Sequence, residues 1–223
     1  MTNHEVTPGA SRRYPRGMGT KTPQTSYEEW LALDEKVRAE FIDGRIVTLP
    51  SPSGPHQYVL NALAEFIVIP FCTRHGRGGP GDWWILPDYD VCFGEQILRP
   101  DLVGWRRERS PRLPERPVEL TPDWVCEIVS PSNTNHDRVT KRRLYAEHGV
   151  PHYWVVDPIA RTLDALALRD GAWVEIGVYD EDDVARIAPF DAVELEIGRL
   201  FVPREEMEEE GCVATPHGET VSP

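Results

Sequence analysis

A chain of 223 residues with 40% hydrophobic and 27% charged residues is long enough to bury one sizeable core and has the composition of a globular protein. No apolar run approaches the roughly 20 residues of a membrane span. The Arg-, Gly- and Pro-rich start lacks the apolar stretch of a secretory signal, so the expected location is the cytoplasm, with no membrane partner. The net charge of −13 argues against a generic nucleic-acid binder and leaves contact through a local basic patch or a metal ion.

Residues 1–24 are rich in Thr, Pro, Gly, Ser and Arg without periodicity and are expected to form a disordered arm. Ser26 with Glu29 makes a capping box, and Trp30, Leu31 and Leu33 give the short helix that follows an apolar side. Asp43-Gly44 between two β-prone runs, Glu40–Ile42 and Arg45–Val47, signals a hairpin. After a Pro/Ser loop at 50–55, apolar residues at 59, 60, 63, 66, 67 and 70 predict a helix from His56 to about His75, ended by Pro70 and a glycine-rich run. Short strands are predicted at 83–86, 89–93 and 101–105. Residues 106–116 form a polar loop with five arginines. Trp124–Val129 reads as a buried strand, 137–148 as a helix capped by Gly149, and 152–156 as another strand. A hairpin at 161–168 and 172–179 turns at Asp170-Gly171, and 193–202 adds a last strand. The acidic tail from Arg204, with six acids and one Arg, is expected to be disordered. The organisation is therefore one domain at 25–203 between flanks 1–24 and 204–223. Cys72, Cys92, Cys126 and Cys212 are far apart and form no CxxC pair, which argues against a zinc site or disulfide framework.

Two acids lie at the ends of apolar runs: Asp101 in Arg99-Pro100-Asp101-Leu102-Val103, and Glu127 in Trp124-Val125-Cys126-Glu127-Ile128-Val129. An acid at the end of a buried strand is costly unless its charge is compensated. On neighbouring antiparallel strands the two would face each other across one rung, with Cβ atoms about 4.5–5.5 Å apart. Two such carboxylates share a proton or bind a cation. Asp137, Lys141 and Tyr145 follow at spacings of four and share one face of the next helix. A lysine beside a metal site can orient water and offset charge developing on phosphorus.

Each residue also has a bland reading. Asp101 can cap a turn after proline, Glu127 can pair with a buried cation, and Lys141 can pair with Asp137 on the surface. Glu40 can be an exposed hairpin residue opposite Arg45. His56 can be an ordinary helix N-terminal residue, Tyr145 a packing residue, and Ser130 an organiser of the loop behind Glu127. Arg106, Arg107, Arg109 and Arg112 are candidate phosphate contacts or a solvated loop. Trp83, Trp84, Trp124 and Trp154 are expected in the core rather than as base-stacking platforms.

The run from Glu40 in Glu-Phe-Ile-Asp-Gly-Arg-Ile-Val through Ser51-Pro52-Ser53, His56, Arg99-Pro100-Asp101, Glu127–Ser132, Asp137, Lys141, Tyr145 and Gly149-Val150 to Tyr153-Trp154-Val155-Val156-Asp157-Pro158 resembles the Uma2 family. That family is a restriction-endonuclease-like branch of the PD-(D/E)XK nuclease superfamily, and the resemblance spans about residues 26–203. It implies an α/β (α+β) fold: a restriction-endonuclease-like core with a mixed central β-sheet flanked by helices, an N-terminal helix plus hairpin, and a C-terminal β-hairpin. It also implies a magnesium- or manganese-dependent endonuclease acting on DNA, RNA not being excluded, and a homodimer. By resemblance, Asp101 and Glu127 are metal ligands, the Ile128 carbonyl is a third contact and Glu40 an additional acidic ligand. Lys141 is the catalytic lysine, with His56, Ser130, Asp137 and Tyr145 as possible support. The superfamily's usual lysine, two residues after the acid, is replaced here by Val129, and the family moves that function to the following helix. Two rival readings stay open: a catalytically inactive nucleic-acid-binding or assembly protein on a nuclease scaffold, and hydrolysis of a small phosphorylated molecule, which requires a closed pocket.

Overall fold

In the computed structural model, residues 27–34, 36–72, 81–130 and 135–207 are described, the side chains of 135–138 excepted. The expected arm 1–24, the Ser26 cap, Cys212 and most of the acidic tail lie outside them. The chain opens with helix α1 (Tyr27–Leu31) and the hairpin β1 (Ala39–Ile42) and β2 (Arg45–Thr48). Asp43 and Gly44 take φ of 50° and 71° at its turn, the left-handed pair a two-residue hairpin loop needs. Helix α2 (Gly54–Leu63) is capped by Ser53, whose Oγ accepts from the His56 N–H. A π-helical segment, Ala64–Val68, joins it to α3 (Ile69–Cys72). The helix therefore passes through Pro70 instead of ending there. The Ile69 N–H reaches back to the Ala64 carbonyl, and this wider turn shifts the hydrogen-bond ladder just before the donor that proline lacks.

The remaining strands are β3 (Trp83–Pro87), β4 (Val91–Phe93), β5 (Gln96–Leu98), β6 (Leu102–Arg106), β7 (Trp124–Ile128), β8 (His152–Asp157), β9 (Thr162–Arg169) and β10 (Ala172–Asp180). Helix α4 (Asn135–Glu147) links β7 to β8. It ends in a Schellman cap, with the Val150 N–H on the Tyr145 carbonyl and Gly149 at φ 76°. The central mixed sheet has the order β10-β9-β8-β7-β6-β3. Strands β7 and β8 run parallel, and the other neighbours run antiparallel. A smaller sheet has the order β2-β1-β5-β4. The β4–β5 hairpin that completes it is a departure from the expected lone N-terminal hairpin. The segment 193–202 forms a two-residue strand, β12 (Leu195–Glu196), paired with β11 (Val184–Ala185) and followed by a 3-10 turn, Ile197–Leu200. A last helical turn, α5 (Arg204–Met207), runs past the expected start of the tail, and the Arg204 Nε donates to Glu181 at 3.0 Å. No described helix is long and apolar enough to cross a membrane.

Period-2 alternation sorts the central sheet into two faces. Trp124, Cys126 and Ile128 point to one, where α2, α3 and the C-terminal segment pack. Phe190 lies at its centre, with ring centroids 4.7–4.9 Å from Phe71, Trp83 and Trp124. Val125 points to the other face, against Leu144 and Tyr145 of α4 and against Ile42, Phe93 and Leu98 of the smaller sheet. Glu127 and Glu40 share parity with Val125 and Ile42, so both project into the seam between the two sheets.

The 107–122 loop is laced to the smaller sheet through one buried carboxylate. Asp90 accepts from Arg99 Nε at 2.6 Å and Nη2 at 3.1 Å, and from Arg116 Nε. Val118 pairs with Val91 alongside it. Removing Asp90 would leave Arg99 buried without its counterion, which costs about 3–5 kcal/mol. In urea unfolding, Asp90→Ala should lose stability of that order. Arg186→Ala, which breaks an exposed 3.7 Å pair with Glu194, should change it by less than about 1 kcal/mol.

Candidate active site

The seam between the sheets holds a buried ammonium between two carboxylates. Lys141 of α4 places Nζ 2.8 Å from Glu40 Oε1 and 3.4 Å from Glu127 Oε2. The lysine is 4% exposed and Glu40 is fully buried. Glu40 Oε1 also accepts from the Arg99 N–H at 2.8 Å. One helical turn on, Tyr145 donates its hydroxyl to Glu127 Oε1 at 2.5 Å. The i,i+4 spacing on α4 thus brings both side chains to one glutamate.

Glu127 is held well above an ordinary glutamate. Burial is the main cause, Lys141 pulls against it, Asp101 and Glu40 push further up, and the Tyr145 bond lowers it; the carboxyl titrates at about 8. Burial and the neighbouring acids also push the Tyr145 phenol well above its usual value, so it is a neutral donor at any working pH.

Asp101 enters from the next strand. Leu102 pairs with Cys126, and the same count sets Asp101, one residue before β6, opposite Glu127. Its Oδ2 accepts from the Ile128 N–H at 2.7 Å, and its Oδ1 lies 3.0 Å from His56 Nε2. The His56 ring is buried, and among the described residues its Nδ1 has no hydrogen-bond partner. With its proton on Nε2, the ring donates to Asp101 Oδ1. His56, Asp101, Glu127, Ser130 and Lys141 line one pocket with Arg38, Arg99 and the Pro50–Pro52 turn. Its volume is about 30 Å3, room for about one water.

Of the residues expected at the site, Asp101, Glu127, Ile128, Glu40, His56, Ser130, Lys141 and Tyr145 come together. Asp137 lies in the first turn of α4, and its side chain is outside the described residues. The loop arginines stand apart. Arg106 is at the far end of β6, roughly 16 Å from Asp101 at the usual strand rise. Arg106 and Arg107 stack on Trp83 and Trp84. Arg107 also donates to the carbonyls of Trp83 and Cys72, and Arg109 to Asp123. Arg112 is exposed on the same loop. The basic residues beside the pocket are instead Arg38, bound to Asp88 and the Pro50 carbonyl, and Arg99 with its partner Arg116 across Asp90. Arg99 stands in the Arg-Pro-Asp triplet, which marks it in the sequence. Arg38 carries no such signal.

The donor set suits a hard cation. Glu40 and Glu127 flank one ammonium, and Asp101 faces Glu127 from the neighbouring strand. Among the described residues no group of three or more His, Cys, Asp and Glu side chains is disposed as a complete cation cage. Magnesium needs none, since it uses one or two carboxylates with waters and phosphate oxygens.

The raised Glu127 has a sign that can be tested. Between about 4.5 and about 8 the folded protein keeps a proton that the unfolded chain has lost. Its contribution to stability therefore falls as pH rises through that window. In chelator, the wild-type melting temperature should decline from pH 5 to pH 8 relative to Glu127→Gln, which lacks the titrating group. Parallel profiles would contradict the assignment.

Comparison with known proteins agrees with this architecture. No curated protein sequence matches the chain. Among solved structures, the crystal structure of "a putative nuclease belonging to DUF820" from Anabaena variabilis ATCC 29413 matches with a TM-score of 0.59 and 23% identity, covering 78% of this chain and 95% of that one. The two share the fold. The family model described as "Uma2: Putative restriction endonuclease" matches residues 25–198. With that span, which includes Glu40, Asp101, Glu127 and Lys141, the chain belongs to the Uma2 family.

Proposed function

We propose that the protein is a divalent-metal-dependent endonuclease that hydrolyses phosphodiester bonds in DNA. The observation that carries the reading is the buried Lys141 ammonium held at the acids Glu127 and Glu40, in a pocket that Asp101 shares. A magnesium or manganese ion, held by Asp101, Glu127 and the Ile128 carbonyl, would supply positive charge against the phosphate oxygens and a more acidic water.

The chain's own groups divide the work. Lys141 brings a second positive charge to the reacting phosphate and orients water through its N–H donors. Glu40 and the Tyr145 hydroxyl fix that arrangement, one by holding the ammonium and the other by holding Glu127. His56 and the Ile128 N–H fix the two oxygens of Asp101. Room for about one water favours a polymer laid across the mouth over a small phosphorylated molecule enclosed within it.

Purified protein should nick supercoiled DNA with magnesium or manganese, and chelator should stop it. Lys141→Ala should lose about 10²-fold or more in rate. Equal background cleavage by both proteins would end the nuclease reading. Manganese should also raise the melting temperature of the wild type by mass action and leave that of Asp101→Asn unchanged. A shift retained in that variant would move the ion elsewhere.

A further inference from the structure

A second, larger pocket adjoins the first, and Arg99 lines both. Its volume is about 420 Å3, within the range of small-molecule sites. One wall is apolar: Trp30 and Leu31 from α1, then Leu33, with Pro117 from the long loop. Trp30 is nearly buried and anchored by its Nε1 on the Ala39 carbonyl, whereas Leu31 is 51% exposed at the rim. The opposite wall is cationic. Arg99 spends its guanidinium on Asp90 and the Val37 carbonyl. Arg116 meets Asp90 through Nε, is 36% exposed, and among the described residues its two Nη groups donate to nothing. Two guanidiniums on one carboxylate leave one positive charge. Asp34 at the rim carries a negative charge of its own, but it is exposed to solvent and its Oδ1 accepts the Lys36 N–H.

An aromatic and aliphatic wall facing a guanidinium fork with free donors has the chemistry of a nucleotide: a flat apolar base on one side and an anion on the other. The catalytic pocket holds about one water, so a strand cleaved there must lodge its neighbouring unit in an adjoining space. A third hollow, lined by Tyr58, Phe66 and Phe201, offers no comparable cation, because its Arg199 is divided between Glu65 and Glu196.

We propose that the pocket between α1 and the 107–122 loop is a nucleotide subsite. It takes one unit of the strand next to the scissile phosphate, with phosphate oxygens on the Arg116 Nη groups and the base against Trp30, Leu31 and Leu33. The inference rests on the nuclease reading for its substrate, but it can be tested without turnover.

The test is equilibrium binding of a short fluorescent single-stranded DNA in chelator, with deoxynucleoside 5′-monophosphates and inorganic phosphate as separate competitors. Leu31→Asp adds a repelling charge at an exposed position. Arg116→Lys keeps a cation for Asp90 and removes the fork. Each should weaken binding about tenfold with an unchanged melting temperature. The monophosphates should compete better than phosphate alone against the wild type and lose that advantage against Leu31→Asp. Variants that bind within about twofold of the wild type overturn the subsite, even in a protein that cleaves DNA. A wild type that does not bind overturns it as well. Weakened binding by the variants, in a protein that cleaves nothing, supports the subsite and removes the nuclease reading alone.

Discussion

The ammonium group of Lys141 is withdrawn almost completely from water, and a charge in that position is tolerated only beside opposite charge. Glu40 and Glu127 supply it from strands of two different sheets, with α4 bringing the lysine between them. One ion cluster therefore fixes how the smaller sheet, the central sheet and the crossover helix sit against one another. It also sets the electrostatics of the pocket. Burial of Glu127, opposed by Lys141 and reinforced by Asp101 and Glu40, leaves its carboxyl protonated well above the usual range.

Much of this was legible where local chemistry admits one solution. Asp43-Gly44 and Asp170-Gly171 mark tight turns because both pairs must adopt positive φ, and Gly149 marks the end of α4 for the same reason. Asp101 and Glu127 announced themselves as acids in apolar strands, and antiparallel pairing then set them opposite each other. The smaller sheet was less legible. Gln96–Leu98 is too short to display a period, and it becomes a strand through pairing with β1 and β4. The burial of Glu40 was equally hidden, since the hairpin reading allowed an exposed residue facing Arg45. The register instead pairs Glu40 with Val47, and its burial depends on the central sheet covering that face. Pro70 misled for a related reason: a π turn removed the conflict on which a helix break is predicted.

Net charge says little about the charges that line the two pockets. The chain carries −13 overall, yet around the two adjoining pockets Arg38, Arg99, Arg116 and Lys141 stand against Asp34, Asp90, Asp101 and Glu127. The field at a cleft depends on the charges that line it, and distant acids are screened within about 10 Å at ordinary salt. The arginine-rich loop lies mostly apart from these pockets. Arg107 and Arg109 use their donors on backbone carbonyls and Asp123, so they brace the far end of β6. Of the five arginines at 106–116, Arg116 lines the larger pocket.

The parallel pairing of β7 with β8 also bears on when the site comes into being. Strands joined by a helical crossover cannot zip from a local turn; they meet after the intervening chain has collapsed, a slow step in folding. Glu40 and Lys141 are 101 positions apart, by subtraction of their numbers, and Lys141 lies within that crossover. A partly folded chain, or a nascent one not yet extended through α4, thus possesses its carboxylates without its lysine. The Glu40–Lys141–Glu127 cluster is thus a product of long-range contacts and cannot precede them.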